Sequence, residues 1–206
     1  MDTFLEGVAF RHACKIFDED KKIPTEVFEN ILQVGLNAPS SFGMEPTRIM
    51  VIKNPKVRQD IQPLCWNQAQ ITTASELVIF KTLTTQLIPP SNYIKQAMAR
   101  KQKTPEQLKA YEERYTNYLK DKGYDEYKIG YWAALQSYIT ATAMMDYASF
   151  LKIDTCMIEG FEKAPLEQYF KLDSAEQITL LLAFGYRIKP QSKRYRITLD
   201  EFIEYK

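Results

Sequence analysis

The chain alternates between apolar residues repeating every three to four positions and shorter runs that are apolar at nearly every position. Phe4, Leu5, Val8 and Ala9 share one helical face, which predicts a short helix from Asp2 to Phe10. Val27, Phe28, Ile31, Leu32 and Gly35 repeat in the same way, with Pro24 suited to the helix start and Pro39 closing it after Ala38. "PSSFGMEP" has the composition of a loop. "RIMVIKN" then predicts a strand buried on both faces, and Asn54-Pro55 turns the chain into a short helix. "ELVIFKTL" is a second strand of the same type.

Residues Ser91 to Lys122 are charged, rich in tyrosine and predicted helical, with a break at Thr104-Pro105 and a stop at Gly123. Tyr111, Tyr115 and Tyr118 fall on one face and are expected to pack on the body or on a partner subunit. A long helix follows from Tyr127 to Leu151, with Trp132, Leu135, Ile139, Ala143 and Tyr147 at steps of three and four. "IDTCMIEGF" and "EQITLLLAFGYR" predict a third and a fourth strand, separated by a short helix at "APLEQYF". A basic stretch, "IKPQSKRYR", leads to the C-terminal "ITLDEFIEYK". Alternating helices and strands with no dividing linker predict one domain over residues 1–206, α/β or α+β around a single sheet.

Composition narrows the function. Hydrophobic residues make up 45% of 206, enough for a substantial core. Lys and Arg number 27 against 26 Asp and Glu, which argues against a protein held mainly by nucleic-acid phosphates. The three cysteines, Cys14, Cys65 and Cys156, are widely spaced and form no CxxC, as expected of a reduced cytoplasmic chain. The apolar stretch around Ile129–Ile153 carries Gln136, Asp146 and Lys152 and reads as a buried helix rather than a membrane span. GxGxxG, a P-loop, HExxH and GxSxG are all absent, and a single histidine cannot build a histidine-rich metal centre.

The single histidine lies in "RHACKIF", Arg11 to Phe17, beside two basic residues and a cysteine. Cys14 is two residues from His12, so their side chains diverge on a helix or a strand, which argues against a Cys-His nucleophile. Positive charge remains in two places: Arg11, His12 and Lys15, and Lys193, Arg194 and Arg196. Both clusters can be solvated basic ends, and on charge alone that is the plainer reading. If they converge, they suit a phosphate, whose geometry arginine matches in a bidentate way.

The order "RHACKIF", "PSSFGMEP", "WNQAQITTASELVIF", "IEGF" and "RYRITLDEF" resembles the nitroreductase family of FMN-dependent NAD(P)H oxidoreductases over nearly the whole chain, most closely its oxygen-insensitive nitroreductase and dihydropteridine reductase branch. The resemblance implies an α+β fold, a three-layer α/β/α sandwich with a central mixed, mostly antiparallel sheet. It implies a homodimer with FMN at the subunit interface, and NAD(P)H as reducing co-substrate. Hydride would pass from NAD(P)H through the flavin to a nitroaromatic, quinone or similar electron-poor acceptor in a ping-pong cycle. Alternatives on the same scaffold are a dehalogenating or flavin-modifying enzyme and a non-catalytic flavin-binding sensor.

Residue by residue, the resemblance places Arg11 and His12 at the FMN phosphate and ribityl chain, with Ala13 where the family usually has serine. Lys15 falls near flavin N1 and O2, where it would stabilise the reduced ring electrostatically and is the one catalytic assignment. Pro39, Ser40 and Ser41 match a loop that contacts the flavin, usually from the other subunit. Gly43, Glu45, Pro46 and Thr47 stand where Asn, Gln, Pro and Trp are frequent. Asn67 matches a ligand of the pyrimidine side, and Gln70 replaces a frequent lysine, leaving Lys15 alone in the electrostatic role and implying a somewhat lower flavin potential. Glu159 and Gly160 would bring backbone N–H groups to N5 and O4; Arg194 and Arg196 would bind the phosphate. Phe42, Tyr124 and Tyr127 are candidates for the substrate pocket, and no metal site is expected.

Overall fold

The apolar runs form one sheet. In the computed structural model, which describes residues 3–206 with side chains from Phe4 onward, its strands are β1 (Thr47–Val51), β2 (Glu76–Leu83), β3 (Asp154–Ile158) and β4 (Glu176–Gly185). The order is β1-β2-β4-β3, and every neighbouring pair is antiparallel. The expected mixture of directions reduces to one isolated parallel bridge, Ala13 to Thr155, outside the named strands.

Around the sheet lie α1 (Thr3–Phe10), α2 (Thr25–Leu36), α3 (Pro55–Ile61), α4 (Gln70–Thr73), α5 (Asn92–Ala99), α6 (Pro105–Asp121), α7 (Glu126–Phe150), α8 (Lys163–Tyr169) and α9 (Leu199–Phe202). The predicted start at Asp2 lies outside the described residues. Side chains alternate across each strand, so the sheet has two apolar faces. Val78, Phe80, Leu180, Leu182 and Phe184 meet Phe28 and Ile31 of α2 and Ala141, Met144 and Ala148 of α7. Leu77, Ile79, Cys156, Ile158 and Leu181 meet Ile61 of α3, Ile71 of α4 and Leu166 of α8. These are the three layers that the sequence implied.

A third cluster joins α5, α6 and the start of α7 through Ile94, Met98, Tyr115, Leu119, Ile129 and Trp132. The break at Thr104-Pro105 is the N-terminus of α6, closed by a capping box between Thr104 and Gln107.

Two expectations need correction. β1 is an edge strand and only half-buried, because it has a neighbour on one side alone. In α7, the residues that pack inward are Ile129, Ala133, Gln136, Ser137, Thr140, Ala141 and Met144, whereas Leu135 and Ile139 point outward. The helix is apolar on more than one face, so periodicity could not separate the inner face from the outer. Tyr127, Tyr131, Leu135 and Ile139 form an exposed stripe at intervals of four.

Candidate functional site

The segment Arg11–Phe17 leaves α1 and runs along the free edge of β3. The Cys14 amide donates to the Thr155 carbonyl (3.0 Å), and the Asp18 amide to the Tyr186 carbonyl (2.7 Å). Cys14 and Phe17 are buried and anchor the segment, while Ala13 and Lys15 are exposed. Gly7 lets α1 cross α7 closely: a Cβ there would lie 3.1 Å from the Phe150 backbone. That crossing places Arg11 Nη1 3.2 Å from Asp146 Oδ1 on α7.

The basic end of the segment is held in a web of charge. Asp154, buried, accepts from the Arg187 side chain (Nε to Oδ1, 2.7 Å) and from the Arg187 amide (2.9 Å). His12 Nδ1 is buried, lies 3.5 Å from Asp154 Oδ1 and has no hydrogen-bond partner. Burial, reinforced by the Arg187 charge, lowers the His12 pKa against the opposing pull of Asp154, so the ring is neutral at pH 7. Arg194 reaches back to the C-terminal carbonyls of α1, donating to Val8 (2.9 Å) and to Arg11. Helix C-termini attract cations in this way. Of the second basic cluster, Arg194 therefore sits beside Arg11 and His12. Arg196 is exposed and donates only to the neighbouring Tyr195 carbonyl (2.7 Å). Arg187, which no motif singled out, is the additional basic residue.

At the other end of the segment, Lys15 Nζ lies 3.6 Å from Cys156 Sγ on β3. Gln70, at the start of α4, donates to the same sulfur (3.7 Å) and to Gln68 Oε1 (2.8 Å). Gln68 donates in turn to the Gly160 carbonyl (2.7 Å) and the Cys65 carbonyl (3.1 Å). Both amide hydrogens of Gln70 thus point to protein acceptors. Asn67 is exposed, at φ +53, and Trp66 before it, at φ +54, lays its ring on Gly160 and donates to Glu162 (2.7 Å). A Cβ on Gly160 would meet Trp66 Cε3 at 2.6 Å, so only glycine permits this approach. Glu159 is exposed and accepts from the Tyr138 hydroxyl on α7 (2.7 Å); burial, then Glu159, pushes that phenol up to about 12.

Burial disfavours the thiolate form of all three cysteines. Burial pushes Cys14 up to about 11 and Cys65 up to about 12, and raises Cys156 against the opposing pull of Lys15 and Gln70. Among the described residues no His, Cys, Asp and Glu group of metal-binding size occurs.

The loop with Pro39, Ser40 and Ser41 lies elsewhere. It precedes β1, at the opposite edge of the sheet from β3. The Ser41 amide donates to Gln136 of α7 (2.8 Å), whereas Glu159 meets Tyr138. Two residues apart on a helix face directions about 200° apart, so α7 stands between the loop and the Glu159–Gly160 turn. Ser40 and Glu45 line a cavity of about 590 Å³ beside β1, and Glu159 and Tyr127 line one of about 770 Å³ between α7 and the start of β4.

Of the substrate-pocket candidates, Phe42 and Tyr124 share one aromatic cluster around Tyr118, and Tyr127 lies apart from it. Phe42 adopts φ +54, its ring packing on Tyr111, Tyr115 and Tyr118 and its carbonyl accepting from Tyr111 and Lys101. Tyr124 stacks on Tyr118 and Trp132, and Gly43 lies under Lys101. Tyr127 is exposed and bonded to Tyr131 (2.6 Å).

The site is therefore an α+β edge site, with basic groups and an unpartnered ring nitrogen at one end and a lysine beside a glycine cradle at the other. The sequence profile of the Nitroreductase family matches residues 8–186, and the chain belongs to that family. A protein of Staphylococcus saprophyticus, provisionally named NAD(P)H nitroreductase, is 34% identical over 98% of this chain and 96% of its own. A Bacillus subtilis structure described provisionally as a nitroreductase superimposes with a TM-score of 0.86 at 16% identity, covering 98% of each chain. A provisionally assigned nitroreductase from Exiguobacterium sibiricum, solved in complex with FMN, gives 0.78 at 22% identity, over 98% of this chain and 97% of its own. No described helix is long and apolar enough to cross a membrane.

Proposed function

We propose that the protein is an FMN-dependent NAD(P)H oxidoreductase, a single domain acting as a homodimer in the reducing cytoplasm. One observation carries the reading: a single edge segment presents anion-binding groups and a lone cation four residues apart. That spacing reaches at most ~14 Å in extended chain, which suits a ligand with a phosphate at one end and an electron-accepting ring at the other. The relatives' names and the FMN complex of a structural neighbour support the same assignment.

The residues present fit FMN. Arg11, His12 and Arg194 lie together and would hold the phosphate end, and the buried Nδ1 of His12 has no hydrogen-bond partner. Gly160 leaves room for close backbone approach. When bound, FMN supplies hydride transfer from NAD(P)H to an electron-poor acceptor such as a nitroaromatic or a quinone. Arg11 would hold the phosphate, sharing its guanidinium with Asp146, which lies 3.2 Å from Nη1. Lys15 provides fixed positive charge where negative charge accumulates on reduction. Gln70 has committed its N–H groups to Gln68 and Cys156 and leaves that electrostatic role to Lys15.

The separation of the half-sites supports a dimer. Ser40 and Ser41 sit at one edge of the sheet and Gly160 at the other, three strand spacings or ~14 Å apart. A second copy bringing its Ser40–Ser41 loop to this chain's β3 edge would complete the site. The exposed stripe on α7 supplies an apolar surface for that contact.

The test is an anaerobic titration of the purified, FMN-loaded protein. NADH or NADPH should bleach the flavin absorbance, and a quinone or nitrofuran should restore it. Absence of bleaching by either nucleotide would overturn the reading.

A further inference from the structure

The bonds between Lys15 and Gly160 form a chain whose orientation is fixed throughout. The Cys65 and Gly160 carbonyls can only accept, so Gln68 must direct its Nε2 hydrogens at them, at 3.1 and 2.7 Å. Its Oε1 then faces Gln70 and must accept, at 2.8 Å, which orients the Gln70 amide in turn. Gln70, almost fully buried, places its other hydrogen toward Cys156 Sγ. The Lys15 ammonium meets the same sulfur from the outer side, and the thiol is positioned to donate to the Met157 carbonyl, 3.6 Å away.

We propose that Gln68 and Cys156 are positioning residues that lock the Lys15 ammonium and the Glu159–Gly160 turn into one rigid unit. The inference rests on the FMN reading above. A thiol is a weak acceptor. It holds the ammonium in place without cancelling its charge, whereas a carboxylate at the same position would neutralise it. The cation therefore stays directed at the ligand edge with its field intact, at a distance fixed relative to the glycine cradle. Loss of either positioning residue frees Lys15 to turn toward water, and its attraction to a reduced ring falls.

The experiment compares FMN-loaded wild type with Cys156→Ser, Cys156→Ala and Gln68→Met. Two quantities are read: the Kd for oxidised FMN by fluorescence titration, and the midpoint potential against a reference dye. Serine can still accept from the ammonium, so Cys156→Ser should stay within about twofold of wild type in the affinity ratio for reduced over oxidised FMN. Cys156→Ala and Gln68→Met should lose about tenfold in that ratio, a fall of ~30 mV for a two-electron couple. Equal shifts in Cys156→Ser and Cys156→Ala would show that the sulfur only fills space and would overturn the proposal. Unchanged potentials in variants that bind FMN would overturn it as well. Should Cys156→Ala not fold, Gln68→Met alone decides, since it keeps the volume and removes only the hydrogen bonds. A wild-type protein that binds no FMN would instead sink the functional reading, a distinguishable failure.

Discussion

His12 shows how a single residue can report on its surroundings. Its pKa lies below the ordinary 6.5 because burial and Arg187 disfavour the charged ring. Between the folded and the unfolded pKa, the unfolded chain binds more protons, so stability increases with pH across that window. The contribution is fully present above 6.5 and is lost as pH falls through the lower, folded value. The FMN-free protein should therefore show a lower urea midpoint at pH 5.5 than at 7.5, and His12→Gln should flatten the difference. An unchanged slope in the variant would mean that other groups set the acid sensitivity. Phosphate binding should act in the opposite direction, by stabilising the protonated ring.

At the scale of elements, the site depends on a contact between two turns. Trp66 lies over Gly160, and a methyl group there would overlap the indole at 2.6 Å. Overpacking of this kind costs about 1–3 kcal/mol. Gly160→Ala should lower the denaturation midpoint accordingly and weaken FMN binding, while Trp66→Ala in the same chain should recover most of the stability. If the double variant is no more stable than Gly160→Ala, the overlap that matters is with Gln68 Nε2, 2.9 Å from the same Cβ, and not with the ring.

The same elements show what was legible in the sequence. β2 and α6 stand where their apolar run and their Thr104-Pro105 start predict. The placement of α7 was legible, but not its inward face, since Leu135 and Ile139 are as apolar as the residues beneath them. β1 looked doubly buried because an edge strand facing a cavity has the composition of a central one. The joining of Arg194 to Arg11 was implied by the family motifs and is visible as bonds to the carbonyls of α1. Arg58 was unreadable: it is buried and its guanidinium donates to the Ile52, Ala74 and Ser75 carbonyls, a role that depends on contacts distant in sequence. Gln68 and Cys156 escaped notice for the same reason.

At the scale of the whole molecule, the exposed stripe Tyr127, Tyr131, Leu135 and Ile139 is a feature that an isolated chain does not explain. Each apolar side chain buried contributes ~1.5–3 kcal/mol. Leu135→Glu combined with Ile139→Lys should therefore weaken self-association by roughly 100-fold or more. Light scattering should show a dimer mass for the wild type and a monomer mass for the variant, and FMN should be lost in parallel. A variant that stays dimeric would place the interface elsewhere.

The half-sites at opposite edges of the sheet also have a genetic meaning. In the proposed dimer, a chain damaged only at Ser40–Ser41 and a chain damaged only at Arg11 and Lys15 would each form a homodimer with two broken sites. Mixed together, they would form heterodimers in which one site collects both intact halves and the other collects both damaged ones. Two defective alleles of this gene would then restore one another in the same cell, a form of complementation that a protein with its site inside one subunit does not show.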